Sequence, residues 1–274
     1  MRYLALLPFF LLALAAQAQR VHGRIIDQQA QPLEYVNIGV VGKNVGTVST
    51  AQGTFALTLP PDLDGEILQF SAIGYAPVQF KVAEFKQRFS GQTALVQLQE
   101  QAVALKEVVV RPKKFVTKVV GNTVDSKTVS AGFTSNDLGS EVGTLLKIRK
   151  PSFLESVRFN LAGNKYDTLF LRVNVYKVVK NVPTENVLRE PIYLNVAKGD
   201  IKDGLTLDLS RYNIYLESDA LLSLELVRDL GTGGLWFSGG FINSDSYYRK
   251  ASQGSWQKVP LLGLGFSAVI SQEK

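Results

Sequence analysis

Apolar positions between residues 19 and 110 recur in short bursts separated by turn-forming residues. Thr54-Phe55-Ala56-Leu57-Thr58-Leu59 alternates, so Phe55, Leu57 and Leu59 share one face of a strand and are core candidates. Upstream, residues 27–31 form a polar turn and Pro32 fixes φ without donating to a ladder. Tyr35-Val36-Asn37-Ile38-Gly39-Val40-Val41 then alternates or runs apolar as a strand does. Residues 42–46 read as a hairpin turn, Thr47-Val48-Ser49-Thr50 as a short β-branched strand, and Ala51-Gln52-Gly53 as the next tight turn. Pro60 to Gly65 breaks the chain again, and residues 67–72 and 78–82 read as two more strands around Gly74-Tyr75. Residues 95–98 and 106–110 close the series. Short strands spaced roughly 8 to 12 residues apart, with turns between, predict a β-sandwich.

From Phe115 onward the pattern is again of period two, with one helical candidate near residues 136–146. In Leu169-Phe170-Leu171-Arg172-Val173-Asn174-Val175-Tyr176 the residues Leu169, Leu171, Val173 and Val175 fall on one face. Residues 156–161 alternate likewise, and Gly163-Asn164-Lys165 between the two predicts a hairpin turn. Further strand-like runs occupy 192–196, 205–209, 221–227, 235–237 and 266–270. This many strands predicts a second sandwich, for which a jelly roll is the natural packing. Neither half repeats the other.

Particular residues in the first series carry a family likeness. They are Asp27, Pro32-Leu33-Glu34-Tyr35-Val36-Asn37-Ile38, Gly46-Thr47-Val48-Ser49-Thr50, Gly53-Thr54-Phe55 and Phe70-Ser71-Ala72-Ile73-Gly74-Tyr75. This stretch resembles the carboxypeptidase regulatory-like domain, a transthyretin-like (prealbumin-like) β-sandwich common in exported proteins of the Bacteroidetes. That resemblance implies the non-catalytic partner of a peptidase, with structural rather than catalytic glycines and aromatics. In such proteins a Leu-x-Glu-Val-Val-Val segment, here Leu105-Lys106-Glu107-Val108-Val109-Val110, often hands over to another domain, including the plug of outer-membrane receptors. The 160 residues from Phe115 onward are far too few for the many strands of ~10 residues that a large receptor barrel needs. More loosely, the second half resembles the jelly-roll, galactose-binding-like domains of Bacteroidetes surface proteins. The whole chain is therefore expected to be all-β. Its expected parts are a signal peptide at 1–18, a regulatory-like sandwich at 19–110, a linker at 111–118 and a jelly-roll-like sandwich at 119–274.

The first 18 residues have the physics of a cleavable signal: Arg2 at the start, an apolar run from Leu4 to Ala16, and the small-x-small pattern Ala16-Gln17-Ala18. The run falls short of the ~20 residues that span a bilayer, so no transmembrane segment is expected after cleavage. The chain has no cysteine, which excludes a lipid anchor on a processed cysteine and any disulfide framework. Hydrophobic residues make up 46% of the chain, which excludes disorder, and the formal charge of +6 is modest and scattered. The densest basic groups are Arg111, Lys113, Lys114 and Lys118, then Lys147, Arg149 and Lys150. In an exported protein these read as solvated linkers, so no nucleic-acid partner is expected. Export to the periplasm or the outer-membrane surface, with an envelope protein or glycan as partner, is the expected setting.

Chemistry narrows the functions further. His22 is the only histidine, so Ser/His/Asp and Cys/His triads and the usual zinc sites are excluded, including the His/Glu/His site that a carboxypeptidase needs. Asp62 with Asp64, Asp200 with Asp203, and Asp219 are the remaining carboxylate candidates for acid/base work or calcium, but turns favour aspartate for local hydrogen bonding regardless of function. No enzyme activity, cofactor or metal is expected. Trp236, Tyr247, Tyr248, Arg249 and Trp256, interrupted by glycines and polar residues, have the composition of a sugar-binding surface. Such a surface stacks aromatic faces on the C–H faces of a sugar ring and pairs polar groups with its hydroxyls. The same aromatics are also the ordinary filling of a sandwich core. Arg172, alone in an apolar strand, reads as an outward, solvated arginine or as a binding residue.

Overall fold

The computed structural model describes residues 18–101, 115–201, 204–241 and 245–274. Residues 1–17 of the signal expected at 1–18, the closing strand expected at 106–110 and residues 111–114 of the expected linker lie outside the described residues.

The first module contains β1 (Gln19–Ile26), β2 (Asn37–Val40), β3 (Gly46–Val48), β4 (Thr54–Leu59), β5 (Ile67–Ser71), β6 (Val78–Lys81), a helix α1 (Val82–Arg88) and β7 (Ala94–Gln97). One sheet has the order β4-β1-β7, with β1 and β7 parallel, and the other the order β3-β2-β5-β6. Val21 and Ile25 of β1, Phe55, Leu57 and Leu59 of β4, and Ile38, Val40, Leu68 and Phe70 of the second sheet meet in one apolar core. That is a β-sandwich packed by the alternating faces of its strands. The turn at 27–31 is tied by the Asp27 carboxylate, which accepts from Gln29 N–H at 2.9 Å and Gln31 N–H at 2.7 Å.

Period-two reading carried β6 on through Val82, whereas the chain turns helical there. Val82 and Phe85 are fully buried one turn apart, and Phe85 packs on Phe70, Phe80 and Phe89. Glu84 in the first turn and Lys86 and Arg88 in the last complement the helix dipole. Lys86 also pairs with Asp64, Nζ to Oδ1 2.5 Å, which gives that turn carboxylate a structural partner.

The second module comprises β8 (Phe115–Gly121), β9 (Ser130–Phe133), β10 (Glu141–Leu146), β11 (Ser152–Phe159), β12 (Leu161–Asn164), β13 (Thr168–Val179), β14 (Val182–Asn186) and β15 (Ile192–Ala197). It continues with β16 (Leu205–Asp208), β17 (Tyr215–Leu216), β18 (Ala220–Leu226), β19 (Leu235–Phe241), β20 (Ser246–Arg249), β21 (Gln257–Val259), β22 (Leu262–Leu264) and β23 (Phe266–Glu273). A large sheet runs β14-β13-β18-β10-β20-β21, with β15 also on β13. A second runs β16-β11-β23-β8, with β17 on β11, and a third runs β12-β19-β22, with β9 on β19. Leu169, Leu171, Val173 and Val175 do share the buried face of β13. They pack with Leu222 and Leu224 of the large sheet and with Val157, Phe159, Phe266 and Ile270 of the sheet opposite.

Three expectations are corrected. Residues 141–146 form a strand, not a helix, because β10 lies between β18 and β20 and gains a ladder on both edges. Residues 163–165 do not join a hairpin: Gly163 and Asn164 belong to β12, which pairs with β19, while β13 joins another sheet. The expected linker ends earlier than Lys118, because Phe115 to Lys118 pair in register with Ile270 to Glu273.

Candidate functional site

Four charged residues form a single row across the large sheet. Register places Arg172 of β13 opposite Glu225 of β18, Glu225 opposite Glu141 of β10, and Glu141 opposite Arg249 of β20. Because β-strands alternate faces, all four point away from the apolar core formed by Leu171, Val173 and Leu224. They are nevertheless buried: Glu141 and Glu225 are 0% exposed, Arg172 4% and Arg249 8%. The expectation of a solvated Arg172 is thus overturned, since the first module covers this end of the sheet.

Each arginine holds one carboxylate. Arg172 donates to Glu225 Oε2 from Nε at 3.1 Å and Nη2 at 2.8 Å. Arg249 donates to Glu141 Oε2 from Nε at 2.8 Å, with Nη2 2.6 Å from the same oxygen. Two carboxylates directly opposite one another repel, and here Asn174 lies between them, its Nδ2 donating to Glu141 Oε1 and to Glu225 Oε2, each at 2.9 Å. Ser223 donates to Glu141 Oε1 at 2.5 Å, and Asn186 donates to Asn174 Oδ1 at 2.9 Å. Burial pushes the Glu141 carboxyl above its usual range, against the pull of Arg249 and with added repulsion from Glu225. Burial opposes the charge on Arg249 and Arg172 as well, but the facing carboxylates outweigh it and both are held protonated. Burial raises the Tyr176 phenol well above its usual value, and its hydroxyl accepts from Arg249 Nη2 at 3.1 Å.

The first module completes this network. Arg172 Nη1 donates to the Tyr35 carbonyl at 2.7 Å and Nη2 donates to Asn37 Oδ1, while Asn37 Nδ2 donates to Glu225 Oε1 at 3.0 Å. Tyr35 reaches this position with a left-handed φ of 51°, an uncommon conformation for a bulky residue that its surroundings must hold in place. Its ring lies 5.1 Å from Phe170 and 5.3 Å from Tyr193, and Val48 and Val227 complete that cluster. Burial lifts the Tyr193 phenol to about 12.

A second contact lies at the loop after β20. Gly42 N–H donates to the Gln253 carbonyl at 2.9 Å, and Ser255 Oγ donates to the Gly42 carbonyl at 3.0 Å. The Gln253 side chain joins Ser71 Oγ at 2.7 Å and Gln69 at 2.9 Å. The Ser252 backbone approaches so closely that a Cβ on Gly39 would lie 2.0 Å from its carbonyl oxygen, and one on Gly46 would lie 2.5 Å away. Only glycine fits there.

The five aromatic and basic candidates are split between places. Tyr247, Arg249 and Trp256 cluster beside Tyr176: the Arg249 guanidinium stands 4.9 Å from the Trp256 ring centre and 5.7 Å from that of Tyr176. Arg249 is committed to Glu141, and the buried Tyr247 donates its hydroxyl to the Asn181 carbonyl at 3.2 Å. Tyr248, on the opposite face of β20, donates to Gln257 Oε1 at 2.5 Å. Trp236 stands apart on β19, half-buried, with Lys165 Nζ 5.4 Å from its ring centre. Its two cross-strand partners are Gly132 and Gly163; a Cβ on Gly234 would strike its ring, and one on Gly163 would touch it. His22 is exposed on β1, and among the described residues no group of three or more His, Cys, Asp or Glu is arranged to hold a metal. No described helix is long and apolar enough to cross a membrane.

Comparison with known families decides the first module. Residues 21–110 match the CarboxypepD_reg-like domain. The CarboxypepD_reg-like module therefore supplies Tyr35, Asn37, Gly39 and Gly46 to the contacts above. No curated protein matches the chain. Among solved structures, the VP2 subviral particle of infectious bursal disease virus aligns at 11% identity and a TM-score of 0.25, over 93% of this chain and 64% of that one. A mutant VP2 particle of the same virus aligns at 9% identity and a TM-score of 0.16, over 93% and 61%. The chain thus spans less than two thirds of either VP2 chain, and scores this low carry no argument about fold or function.

The sequence pointed to Arg249 but missed Glu141, Asn174 and Glu225, and it misread Arg172. The one signal was Arg172 itself, since a charge inside a strand that is apolar on its other face needs a buried partner or open water.

Proposed function

We propose that this is an exported, non-catalytic binding or assembly protein of the bacterial cell envelope, in which the CarboxypepD_reg-like module is fixed as a brace on the outer face of a larger, jelly-roll-like β module. The observation that carries this reading is the closed charge row. Arg172, Glu225, Glu141 and Arg249 satisfy one another, and Tyr35 and Asn37 cap the Arg172–Glu225 end, so this end of the row holds the two modules rather than meeting a substrate. With His22 as the only histidine, a zinc peptidase of the His/Glu/His type has no ligand set. Fractionation of cells expressing the protein tests the compartment, and mature protein in the cytoplasm would overturn the proposal. Zinc-dependent release of C-terminal residues by the purified protein would overturn its non-catalytic part.

Carbohydrate binding by the second module is a second reading, favoured by Trp236. The half-buried indole packs beside Gly163 and Gly234, and the Lys165 ammonium over its ring adds donors for sugar hydroxyls. Affinity electrophoresis on glycan gels compares the wild type with Trp236→Ala and Trp256→Ala. Retardation lost only in Trp236→Ala supports the platform, and equal mobility of all three removes it.

A further inference from the structure

At the end of the large sheet away from the CarboxypepD_reg-like module, Ala220 of β18 lies opposite Lys177 of β13 on one side and Leu146 of β10 on the other. Asp219 ties the two neighbouring loops together: its carboxylate accepts from Ile148 N–H at 2.8 Å and its carbonyl from Val178 N–H at 3.2 Å. The loop that carries Lys147, Arg149 and Lys150 is therefore the neighbour of the β13–β14 hairpin that carries Lys177 and Lys180, and all five are exposed. Among the described residues none of the five is in an ion pair. The carboxylates close in sequence or pairing are Asp219, Glu217, Glu185 and Asp245, the last already paired with Lys258, so these five cations outnumber the carboxylates left to face them. The hairpin turns in two residues, with Lys180 at φ 51° and Asn181 at φ 63° as a turn of the primed kind requires. It carries two apolar side chains into solvent, Val179 at 43% and Val182 at 53% exposure, paired across the hairpin.

We propose that this basic hairpin end docks on the surface of an anionic lipid bilayer, with Lys147, Arg149, Lys150, Lys177 and Lys180 at the headgroups and Val179 and Val182 at the acyl boundary. Phosphate charge alone would explain the cations, but a soluble polyanion or a nucleic acid gains nothing from two exposed valines framed by them. A bilayer interface takes both, since apolar burial and attraction to anionic lipid add there. Each lysine or arginine near such a surface contributes a modest increment, so several together are needed for measurable binding.

Sedimentation of the full chain with vesicles tests this, using phosphatidylcholine alone or with about one third phosphatidylglycerol. Binding is expected only to the anionic vesicles, with loss when salt is raised from about 0.1 M to about 0.5 M. The double variant K147Q/K177Q should bind roughly thirtyfold more weakly. V179S/V182S should bind at least about threefold more weakly, and Lys81→Gln on the first module should bind as the wild type does. Melting curves keep folding defects apart from binding defects. Equal binding to neutral vesicles, no binding to either, or a loss in K147Q/K177Q with none in V179S/V182S would overturn the proposal, the last by assigning the patch to a soluble polyanion. Since the readout uses purified protein and vesicles, failure here is distinguishable from failure of the export reading.

Discussion

Replacing Arg172 with methionine removes one member of the charge row while keeping an unbranched apolar stem of similar length. Glu225 then remains 0% exposed with only the neutral donors Asn37 and Asn174. Leaving a buried charge without its partner costs about 3–5 kcal/mol, which for a chain of this size lowers the melting temperature by roughly 6–20 °C. The Tyr35 carbonyl and Asn37 Oδ1 lose their donor in the same step, so the loss falls on the contact between modules as well as on the sheet. Adding Glu225→Leu to Arg172→Met removes the stranded charge. The double variant should recover part of the loss, although Asn37 stays unpaired, and the cycle should give a coupling of about 2–3 kcal/mol. Urea denaturation of the wild type, both single variants and the double variant measures this. Hydrogen exchange at residues 35–40 reports whether the first module loosens. If Arg172→Met costs less than about 0.5 kcal/mol, or if the two changes are additive, the row does not hold the structure together.

Gly39→Ala should destabilise by about 1–3 kcal/mol and speed exchange at residues 251–254, because its Cβ would lie 2.0 Å from the Ser252 carbonyl oxygen; thermal melting and exchange rates check it. Phe85→Ala should cost about 3–5 kcal/mol by chemical denaturation, because Phe85 is fully buried among Phe70, Phe80 and Phe89. For Glu141, burial raises the carboxyl pKa above its unfolded value, so the folded chain takes up a proton at higher pH than the unfolded chain does. Its contribution to stability is present at low pH and is lost as pH rises through the folded pKa. The melting-temperature gap between wild type and Glu141→Gln should therefore widen as pH falls, and a narrowing gap would mean that Arg249 dominates the carboxyl.

The strand pattern was legible where one face is buried and the other wet, as in β4, where Phe55, Leu57 and Leu59 alternate with exposed threonine and alanine. It failed where both faces are buried. Residues 141–146 carry no clean alternation because β10 packs the core on one side and the charge row with Tyr176, Leu221 and Tyr247 on the other, and so they mimicked a helix. The charge row was hidden for a related reason. Its members lie far apart in sequence, and only register brings Glu141, Arg172, Glu225 and Arg249 side by side. Gly39 and Gly46 read as ordinary strand and turn residues until the Ser252 backbone lies against them.

The two modules form one unit, joined by Arg172, Glu225, Tyr35 and Asn37 and by the loop at 251–255 rather than by the connecting segment alone. The most direct measurement introduces a specific protease site between Lys113 and Lys114, cleaves the purified chain and follows the fragments by size-exclusion chromatography. The cleaved wild type should elute as one species at the position of the intact chain, and cleaved Arg172→Met should separate into two. Separation of the cleaved wild type into independent fragments would contradict it.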